Sequence, residues 1–366
     1  MKKIAYAINL LLLLLFVCPV TAQTDQRWPK QKIWDWYNKQ PFYCGFNYIP
    51  AYAINYTAMW DKTSFDAKTI DKELALAEKT GLNCLRAVLQ YAVYEDDPEY
   101  FLNTLDKFLA ICNKHNIKFM PALFDDCVFG IEHDPRVGKQ PEPLKGWYAW
   151  AWSPSPGHSM VVDSTTHPRI EKYVKAVIGR FKDDKRIFIW DLYNEPTNGG
   201  LGSASFPLLK KVAKWAREIN PSQPITIDIW NGDNRLNDIA LANSDIISFH
   251  NYGNKNDLTK QIVELKTQGR PLFNTEWMNR PNGSVIKDNL AVFYNEKVGC
   301  MLWGLVNGKT QTDLPWGHRP ADPIPAVWQH DLFRGDFTPY DPQEIELLKD
   351  FALKSRNSSY LQEHQK

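Results

Sequence analysis

Two glutamates stand at the ends of apolar, strand-like runs. Glu195 follows the run 187–192 and comes directly after Asn194, and Glu276 follows the run 272–275. Two carboxyl groups about 5 to 5.5 Å apart can cleave a glycosidic bond, since one attacks the anomeric carbon while the other protonates the leaving oxygen. Asn194 could hydrogen-bond the sugar hydroxyl beside the reacting carbon. The pair therefore indicates glycosidic chemistry, provided that the fold brings both carboxyl groups to one place.

Four further residues at strand-like runs suit the same chemistry. Arg86 is a cation that could favour the charged form of a carboxylate, and Tyr252, two residues after His250, could donate to Glu276. Trp303 could form the floor of a sugar subsite. Each of these residues taken alone has a plain structural explanation, as an ion-pair partner or a filler of the interior. Their joint occurrence at strand ends favours a single functional site.

The positions of these residues depend on eight apolar runs that alternate with amphipathic segments. The runs cover residues 43–49, 84–89, 117–124, 187–192, 225–229, 246–250, 272–275 and 300–305. Such alternation is typical of βαβ units and predicts an α/β fold, a single (β/α)8 TIM barrel. Active sites of these barrels form at the carboxyl ends of the strands, where the ends of strands four and seven face each other. A doubly wound sheet is the alternative, but Pro50 and Ala51 replace its glycine-rich turn.

The segments between these runs show helical spacing. Leu102, Leu105, Leu109 and Cys112 recur at three- and four-residue steps within 101–116. Further helices are predicted to begin near residues 69, 168, 206, 258, 284 and 342.

Two segments, 125–166 after strand three and 307–339 after strand eight, are too long for simple connections. Long loops of this kind are usually functional. They carry the aromatic residues Trp147, Tyr148, Trp150, Trp152, Trp316 and Trp328. We expect some of them, with Trp150 as the chosen candidate, to stack on sugar rings. Packing of the loops onto the barrel explains any one of them equally well.

The set of residues resembles clan A glycoside hydrolases, and most closely glycoside hydrolase family 5. The matching motifs are Asn194-Glu195 ending strand four, Glu276 ending strand seven, Arg86 on strand two, His250-x-Tyr252 on strand six and Trp303 on strand eight. The resemblance implies retaining cleavage of an equatorial, mostly β-linked glycoside. It implies Glu195 as general acid/base and Glu276 as nucleophile.

One feature departs from that family. Its members usually have a histidine near the end of strand three, whereas this chain has Asp125 and Asp126 after Phe124. Asp125 or Asp126 could contact a sugar hydroxyl instead, or could cap the following loop.

The composition excludes several other classes of function. Lys and Arg number 43 against 42 for Asp and Glu, and this balance provides no field for nucleic acid or anionic lipid. The eight His are scattered without metal-ligand spacing and no G-x-S-x-G elbow occurs, so we expect neither a metal nor another cofactor. A carbohydrate is the expected partner. The cysteines after residue 22 include no close pair, and we expect buried thiols without an essential disulfide.

The amino terminus predicts export. Lys2 and Lys3 precede an apolar run over 8–20, and Ala22 ends a small-residue cleavage site. We expect a cleavable signal over 1–22, a linker over 23–40 and a catalytic domain over 41–366. The mature protein would be secreted or periplasmic without a transmembrane segment. Lipid anchoring through Cys18 is a minor alternative.

Two other functions remain open at this point. A barrel that binds carbohydrate without catalysis is one alternative, but the presence of both Glu195 and Glu276 argues against it. A transglycosylase is the other, because a sugar can replace water as the acceptor. Gluco-, manno-, xylo- and galacto-configured substrates are all compatible with the sequence, as are internal and terminal cleavage and any oligomeric state.

Overall fold

The computed structural model of the protein describes residues 27–357. The predicted signal peptide, residues 1–22, lies outside this range. None of the helices within 27–357 is long and apolar enough to cross a membrane.

Eight parallel strands of the described chain form one sheet. They are β1 Cys44–Asn47, β2 Cys84–Val88, β3 Lys118–Ala122, β4 Trp190–Asp191, β5 Ile225–Thr226, β6 Ile247–His250, β7 Leu272–Trp277 and β8 Gly299–Trp303. Strand β1 pairs with both β2 and β8, so that Phe46 lies beside Leu85 and Leu302. The sheet order runs from β5 through β1 and β8 to β6. Each strand overlaps a predicted run, although β7 extends two residues past its run and β8 begins one residue before its run.

The remaining gap, between β5 and β6, is bridged by main-chain hydrogen bonds. Ile229 N donates to Ser248 O and His250 N donates to Ile229 O, each at 3.0 Å. These bonds bring the two edges of the sheet together as a barrel. The predicted single (β/α)8 TIM barrel is confirmed.

Helices surround the sheet. Those described are α1 Lys30–Tyr37, α2 Tyr56–Trp60, α3 Ala67–Thr80, α4 Tyr91–Asp96, α5 Pro98–Lys114, α6 His158–Val162, α7 His167–Phe181, α8 Phe206–Ile219, α9 Asn234–Asn243, α10 Lys255–Lys266, α11 Ile286–Glu296 and α12 Pro342–Asn357. Seven of them, α3, α5, α7, α8, α10, α11 and α12, start within three residues of a predicted start. The other five are mostly too short to show a repeated apolar stripe.

Helix α3 shows how the sequence sets these elements. The Asp66 carboxylate accepts hydrogen bonds from the Lys68 and Thr69 amides and so caps the first turn. Ile70 and Leu74 then recur at a four-residue step and are buried against the barrel. Gly81 ends the helix at φ +89°, a left-handed conformation that glycine adopts without steric cost.

Helix α1 corrects the prediction of a linker over 23–40. Ile33 and Tyr37 are buried in an apolar cluster with Phe273 and Met301 at the amino-terminal end of the barrel. The Tyr37 hydroxyl lies 2.9 Å from the Lys297 carbonyl and accepts from the Gly299 amide at 3.1 Å. The segment therefore closes the end of the barrel opposite the catalytic rim. Two helical turns with two inward side chains were too weak a pattern to reveal this.

The two long loops join each other over the carboxyl end of the barrel. The Tyr148 amide donates to the His318 carbonyl at 3.2 Å, and the Ala149 amide donates to the Thr310 carbonyl at 3.0 Å. Loop 125–166 and loop 307–339 therefore act as one continuous wall. This wall is held by main-chain hydrogen bonds rather than by side-chain packing alone.

Five cysteines lie in the described part of the chain, and all are free and buried: Cys44, Cys84, Cys112, Cys127 and Cys300. Cys44, Cys84 and Cys300 lie on β1, β2 and β8, where buried thiols were expected. Cys127 differs because it lies in the loop after β3.

We expect Ile33→Ala to lower the free energy of unfolding by about 2 to 5 kcal/mol, because it removes a fully buried side chain from the closed end of the barrel. The same substitution at Ile324, which is 88% exposed, should change it by less than about 0.5 kcal/mol. Urea unfolding of both variants measures the difference. Equal stabilities would mean that α1 does not pack onto the barrel in solution.

Candidate active site

Arg86 lies at the centre of the carboxyl end of the barrel and is 2% exposed. Its guanidinium donates to Asn47 Oδ1 at 3.0 Å, Asp191 Oδ2 at 2.7 Å, Asn194 Oδ1 at 2.7 Å, Asp228 Oδ2 at 2.5 Å and Glu276 Oε1 at 2.9 Å. Charged hydrogen bonds of this kind are among the strongest in proteins. One side chain on β2 thus connects residues at the ends of β1, β4, β5 and β7.

The two aspartates beside Arg86 were not predicted as site residues. Burial and the neighbouring Asp228 raise the pKa of Asp191 to about 8. Burial alone would raise the pKa of Asp228 too, but the charges of Arg86 and His250 outweigh it and hold that pKa below its usual range. Arg86 contacts both carboxyl groups, and the pKa of Asp191 lies above that of Asp228. The sequence did offer one signal for Asp191, which lies inside the apolar run 187–192. A buried acid needs a charged or hydrogen-bonding partner, so its position could have indicated a polar network.

Glu276 is fixed through both carboxylate oxygens. Arg86 donates to Oε1 at 2.9 Å, and the Tyr252 hydroxyl donates to Oε2 at 2.5 Å. These are the two contacts that the sequence predicted. These two hydrogen bonds hold the buried Glu276 carboxylate in one orientation at the cavity.

Glu195 accepts hydrogen bonds from three side chains. His250 Nδ1 lies 2.8 Å from Oε1, while Asn198 Nδ2 at 2.5 Å and Cys127 Sγ at 3.1 Å contact Oε2. One carboxylate oxygen of Glu195, one of Glu276 and one ring nitrogen of His250 all lie within 4.8 Å of one another. The two glutamates that the sequence paired therefore face each other across a short gap.

Burial and charge oppose each other in this network. Burial alone would lower the pKa of His250, but the charges of Glu276 and Asp228 and its bond to Glu195 raise it well above its usual range. Burial alone would raise the pKa of Glu195, but the hydrogen bond and charge of His250 lower it. In the unliganded site the proton between the two side chains therefore resides on His250. By spacing alone, Glu195, His250 and Glu276 could also hold a metal ion.

The backbone at Glu195 is held in an unusual conformation. Glu195 has φ +40° and Thr197 has φ +86°, in the left-handed region that ordinary residues rarely adopt. The Thr197 amide donates to Asp126 Oδ2 at 2.9 Å, and Trp230 Nε1 donates to the Pro196 carbonyl at 2.9 Å. These two hydrogen bonds hold the turn in its strained conformation. Strain of this kind persists at functional sites where the surrounding contacts fix it.

Asp125 and Asp126 lie beneath the site rather than in it, which corrects the expectation that one of them contacts a sugar. Both are fully buried, and neither lines the catalytic cavity. Asp125 accepts from Asn194 Nδ2 at 2.7 Å, Trp152 Nε1 at 2.9 Å and the Cys127 amide at 2.9 Å. Asp126 accepts from the hydroxyls of Tyr193 and Ser205 at 2.7 and 2.5 Å. Burial raises the pKa of Asp125 to about 6 and that of Asp126 to about 7.

A cavity of about 360 Å³ opens above Glu195 and Glu276, within the range of small-molecule sites. Asn194, His250, Tyr252 and Trp303, all predicted from the sequence, line it. Its aromatic wall consists of Phe129, Tyr148, Trp152, Trp230, Tyr252, Trp303 and Trp316. Trp230 was missed because it stands in the connection after β5, which showed no motif.

Trp150, predicted to stack on a sugar ring, does not line this cavity. It lines a second cavity of about 450 Å³ together with Asn55, Ile131 and Gln140. Trp328 also lies elsewhere, stacked on Tyr340 with ring centroids 4.6 Å apart. Loop packing therefore describes Trp328, whereas stacking of Trp150 on a sugar stays a prediction.

A model of the family described as Cellulase (glycosyl hydrolase family 5) matches residues 45–309 of the 366. No curated protein matches with significance.

Several solved structures share the fold. Exo-beta-1,4-mannosidase Op5Man5 from Opitutaceae bacterium strain TAV5 is 14% identical with a TM-score of 0.58, over 86% of this chain and 60% of that one. An endo-beta-1,4-mannanase from Thermotoga petrophila gives 14% and 0.55, over 90% and 79%. An endo-1,4-beta-mannanase from Rhizomucor miehei gives 12% and 0.57, over 87% and 96%. This chain spans about 60% of the length of the first. At such identities the likeness shows the fold alone.

We expect Arg86→Met to lower the free energy of unfolding by about 3 to 5 kcal/mol, because it leaves buried carboxylates without their cation. Arg136→Met, at an 84% exposed side chain, should lower it by less than about 0.5 kcal/mol. Without the guanidinium the pKa values of Asp191 and Asp228 rise in the folded state, because Arg86 lowers both. The folded state then binds more protons than the unfolded chain, so stability falls as pH rises. Urea unfolding at pH 5 and pH 8 tests this, and a loss that does not grow with pH would contradict it.

Proposed function

Because this chain belongs to glycosyl hydrolase family 5, as its motifs predicted, we propose that it hydrolyses a β-linked saccharide with retention of anomeric configuration. Membership of this family supports a glycoside hydrolase. The retaining mechanism and the β-linkage are the parts that we propose. The observation that carries the proposal is the spacing of Glu195 and Glu276, whose nearest oxygens lie within 4.8 Å. Retaining enzymes need this short separation, whereas inverting enzymes leave about 6.5 to 9.5 Å for a water molecule.

In the first step Glu276 attacks the anomeric carbon and Glu195 protonates the leaving oxygen. Arg86 and Tyr252 hold the Glu276 carboxylate in one orientation, so little motion is needed before attack. The new bond between Glu276 and carbon forms as the bond from carbon to the leaving oxygen breaks. The leaving group departs as an alcohol.

The same step favours release of the proton. The charge of Glu276 is a main reason that the pKa of His250 is raised, and this charge disappears when the glycosyl bond forms. The pKa of His250 then falls, and its proton transfers along the 2.8 Å hydrogen bond to Glu195 Oε1. Glu195 in turn protonates the leaving oxygen. Attack and protonation are thereby coupled through one imidazole.

In the second step water replaces the leaving group. Glu195, now ionised, removes a proton from water while the water oxygen attacks the anomeric carbon. The bond from that carbon to Glu276 breaks, and the carboxylate regains its charge beside Arg86. Two displacements at one carbon return the original configuration.

The cavity suits a sugar ring of low charge. Its aromatic wall offers flat faces for the apolar face of a pyranose, and the polar groups converge at the end that holds Glu195 and Glu276.

We propose that the enzyme is exported, on the basis of the amino-terminal pattern alone. β-1,4-mannans belong in any substrate panel, because three structural neighbours are named for enzymes of such linkages.

We expect the first product formed from a β-linked substrate to be the β anomer. NMR of the reaction within the first minutes, before mutarotation, measures the anomer, using aryl β-glycosides and polysaccharides of gluco-, manno-, xylo- and galacto-configuration. An α product would overturn the role of Glu276 as nucleophile. A new glycoside formed with excess sugar acceptor would favour transglycosylation, and no turnover on the whole panel would favour a binding protein.

We expect Glu276→Ala to reduce turnover to near background with every substrate. Glu195→Ala should cost about 10²- to 10⁴-fold with poor leaving groups but much less with activated aryl glycosides, which need no proton. Azide should restore turnover of Glu195→Ala and yield a glycosyl azide of retained configuration. Glu346→Ala, at an exposed helix position, is the control and should behave as wild type. Equal losses on all substrates for both variants, without azide rescue, would contradict the assigned roles.

A further inference from the structure

A thiol lies against the acid/base carboxyl group. Cys127 is 4% exposed and lines the catalytic cavity, and its Sγ is 3.1 Å from Glu195 Oε2. It sits in the loop after β3, two residues beyond Asp125. Of the five described cysteines, it is the one that lines this cavity.

The surrounding groups decide where the S–H bond points. Asn194 Nδ2 at 3.4 Å and Asn198 Nδ2 at 3.2 Å both donate to the sulfur. These amides take up the acceptor side of the sulfur, which leaves its hydrogen free to donate. Asp125 is the competing acceptor, because its carboxylate also lies near the thiol, and its oxygens accept three N–H groups. The contact at hydrogen-bond distance, 3.1 Å, is the one to Glu195 Oε2, and it is the acceptor that geometry favours.

The thiol stays protonated in this environment. Burial and the charges of Asp125, Glu195 and Glu276 raise the pKa of Cys127 well above its usual range. A protonated thiol is a weak hydrogen-bond donor, and a donor stabilises the ionised form of the carboxylate that accepts from it. Asn198 donates to the same oxygen at 2.5 Å.

We propose that Cys127 and Asn198 are positioning residues that hold Glu195 Oε2 as a hydrogen-bond acceptor, so that the catalytic proton is carried on Oε1, facing His250. The inference rests on the proposed role of Glu195 as acid/base. It assigns the two oxygens different duties: Oε2 is anchored to the loop after β3 and to the turn after β4, and Oε1 exchanges the proton.

The consequence is a pH limit that depends on the thiol. Both donors favour ionised Glu195, and the acid form is required for the first step. The proton of the unliganded site lies on His250, so the pair of Glu195 and His250, rather than Glu195 alone, sets the alkaline limit of kcat/KM. Loss of the Cys127 donor should raise the pKa of Glu195 and draw this shared proton toward Oε1, so the pair keeps the proton to higher pH and the alkaline limit moves upward. The charged and titratable groups that surround Glu195 and Cys127 are Arg86, Asp125, Asp126, Asp228, His250, Tyr252 and Glu276. These groups are unchanged in the variants below.

The test compares Cys127→Val, which keeps apolar volume but has no donor, with Cys127→Ser, which restores one. We expect the alkaline limb of kcat/KM to move up by as much as about one pH unit in Cys127→Val and to stay near wild type in Cys127→Ser. Cys112→Val, at a buried thiol of α5 remote from the cavity, is the matched control, and its limb should coincide with wild type. An unmoved limb in Cys127→Val, with kcat reduced alike for all leaving groups, would overturn the proposal and leave Cys127 as a space filler.

A second measurement does not depend on turnover. In protein labelled with ¹³C at the glutamate carboxyl carbons, the Glu195 signal is identified by its absence from the spectrum of Glu195→Gln. Its titration midpoint should rise in Cys127→Val and return in Cys127→Ser. An identical midpoint in wild type and Cys127→Val would refute the inference even for an inactive protein. Absence of turnover in wild type, together with a shifted midpoint, would refute the proposed function and leave the hydrogen bond established.

Discussion

The guanidinium of Arg86 is buried beneath the catalytic rim and hydrogen-bonded to side chains at the ends of four other strands. A cation in this position cannot be solvated by water, so it is stable only while its acceptors surround it. The acceptors include Glu276, by contact, and the strand-four turn that carries Glu195, through Asn194. The relative placement of the two glutamates is therefore fixed by a charge that never needs to meet the substrate. A lysine could not replace it, because an ammonium group has three N–H donors on one atom, whereas the planar guanidinium has five and contacts five acceptors here.

The charges around this cation determine where protons reside. Four carboxyl groups, those of Asp191, Glu195, Asp228 and Glu276, contact the side chains of Arg86 and His250. Acidic side chains therefore outnumber basic ones in this network. An oxocarbenium-like transition state carries developing positive charge, so the resting arrangement already complements it. Coupling through His250 then lets the loss of one carboxylate charge release one proton.

The barrel and the glutamate pair could be predicted because both follow from local pattern plus topology. Alternating apolar runs define strands, and residues just past strands share one rim, so Glu195 and Glu276 had to be neighbours in space. Contacts between residues far apart in sequence could not be derived in this way. Asp228 meets Arg86 across 142 positions, and Cys127 meets Glu195 across 68. The cavity that Trp150 lines could not be predicted either, because aromatic composition of a loop does not state which face an indole presents.

The end of β3 shows how a departure from the family pattern is compensated. Where a histidine was expected, Asp125 anchors the Asn194 amide and the Trp152 indole at 2.7 and 2.9 Å, while Cys127 contacts the Glu195 carboxyl group. One short segment therefore supports an aromatic side of the cavity, the residue before the acid/base and the acid/base itself. Asp125 is fully buried and connects Trp152, which lines the cavity, to Asn194, which in turn accepts from Arg86. The aromatic wall of the cavity and the network that orients the two glutamates therefore share one buried carboxylate, which lies beneath the end of strand three rather than on the rim itself.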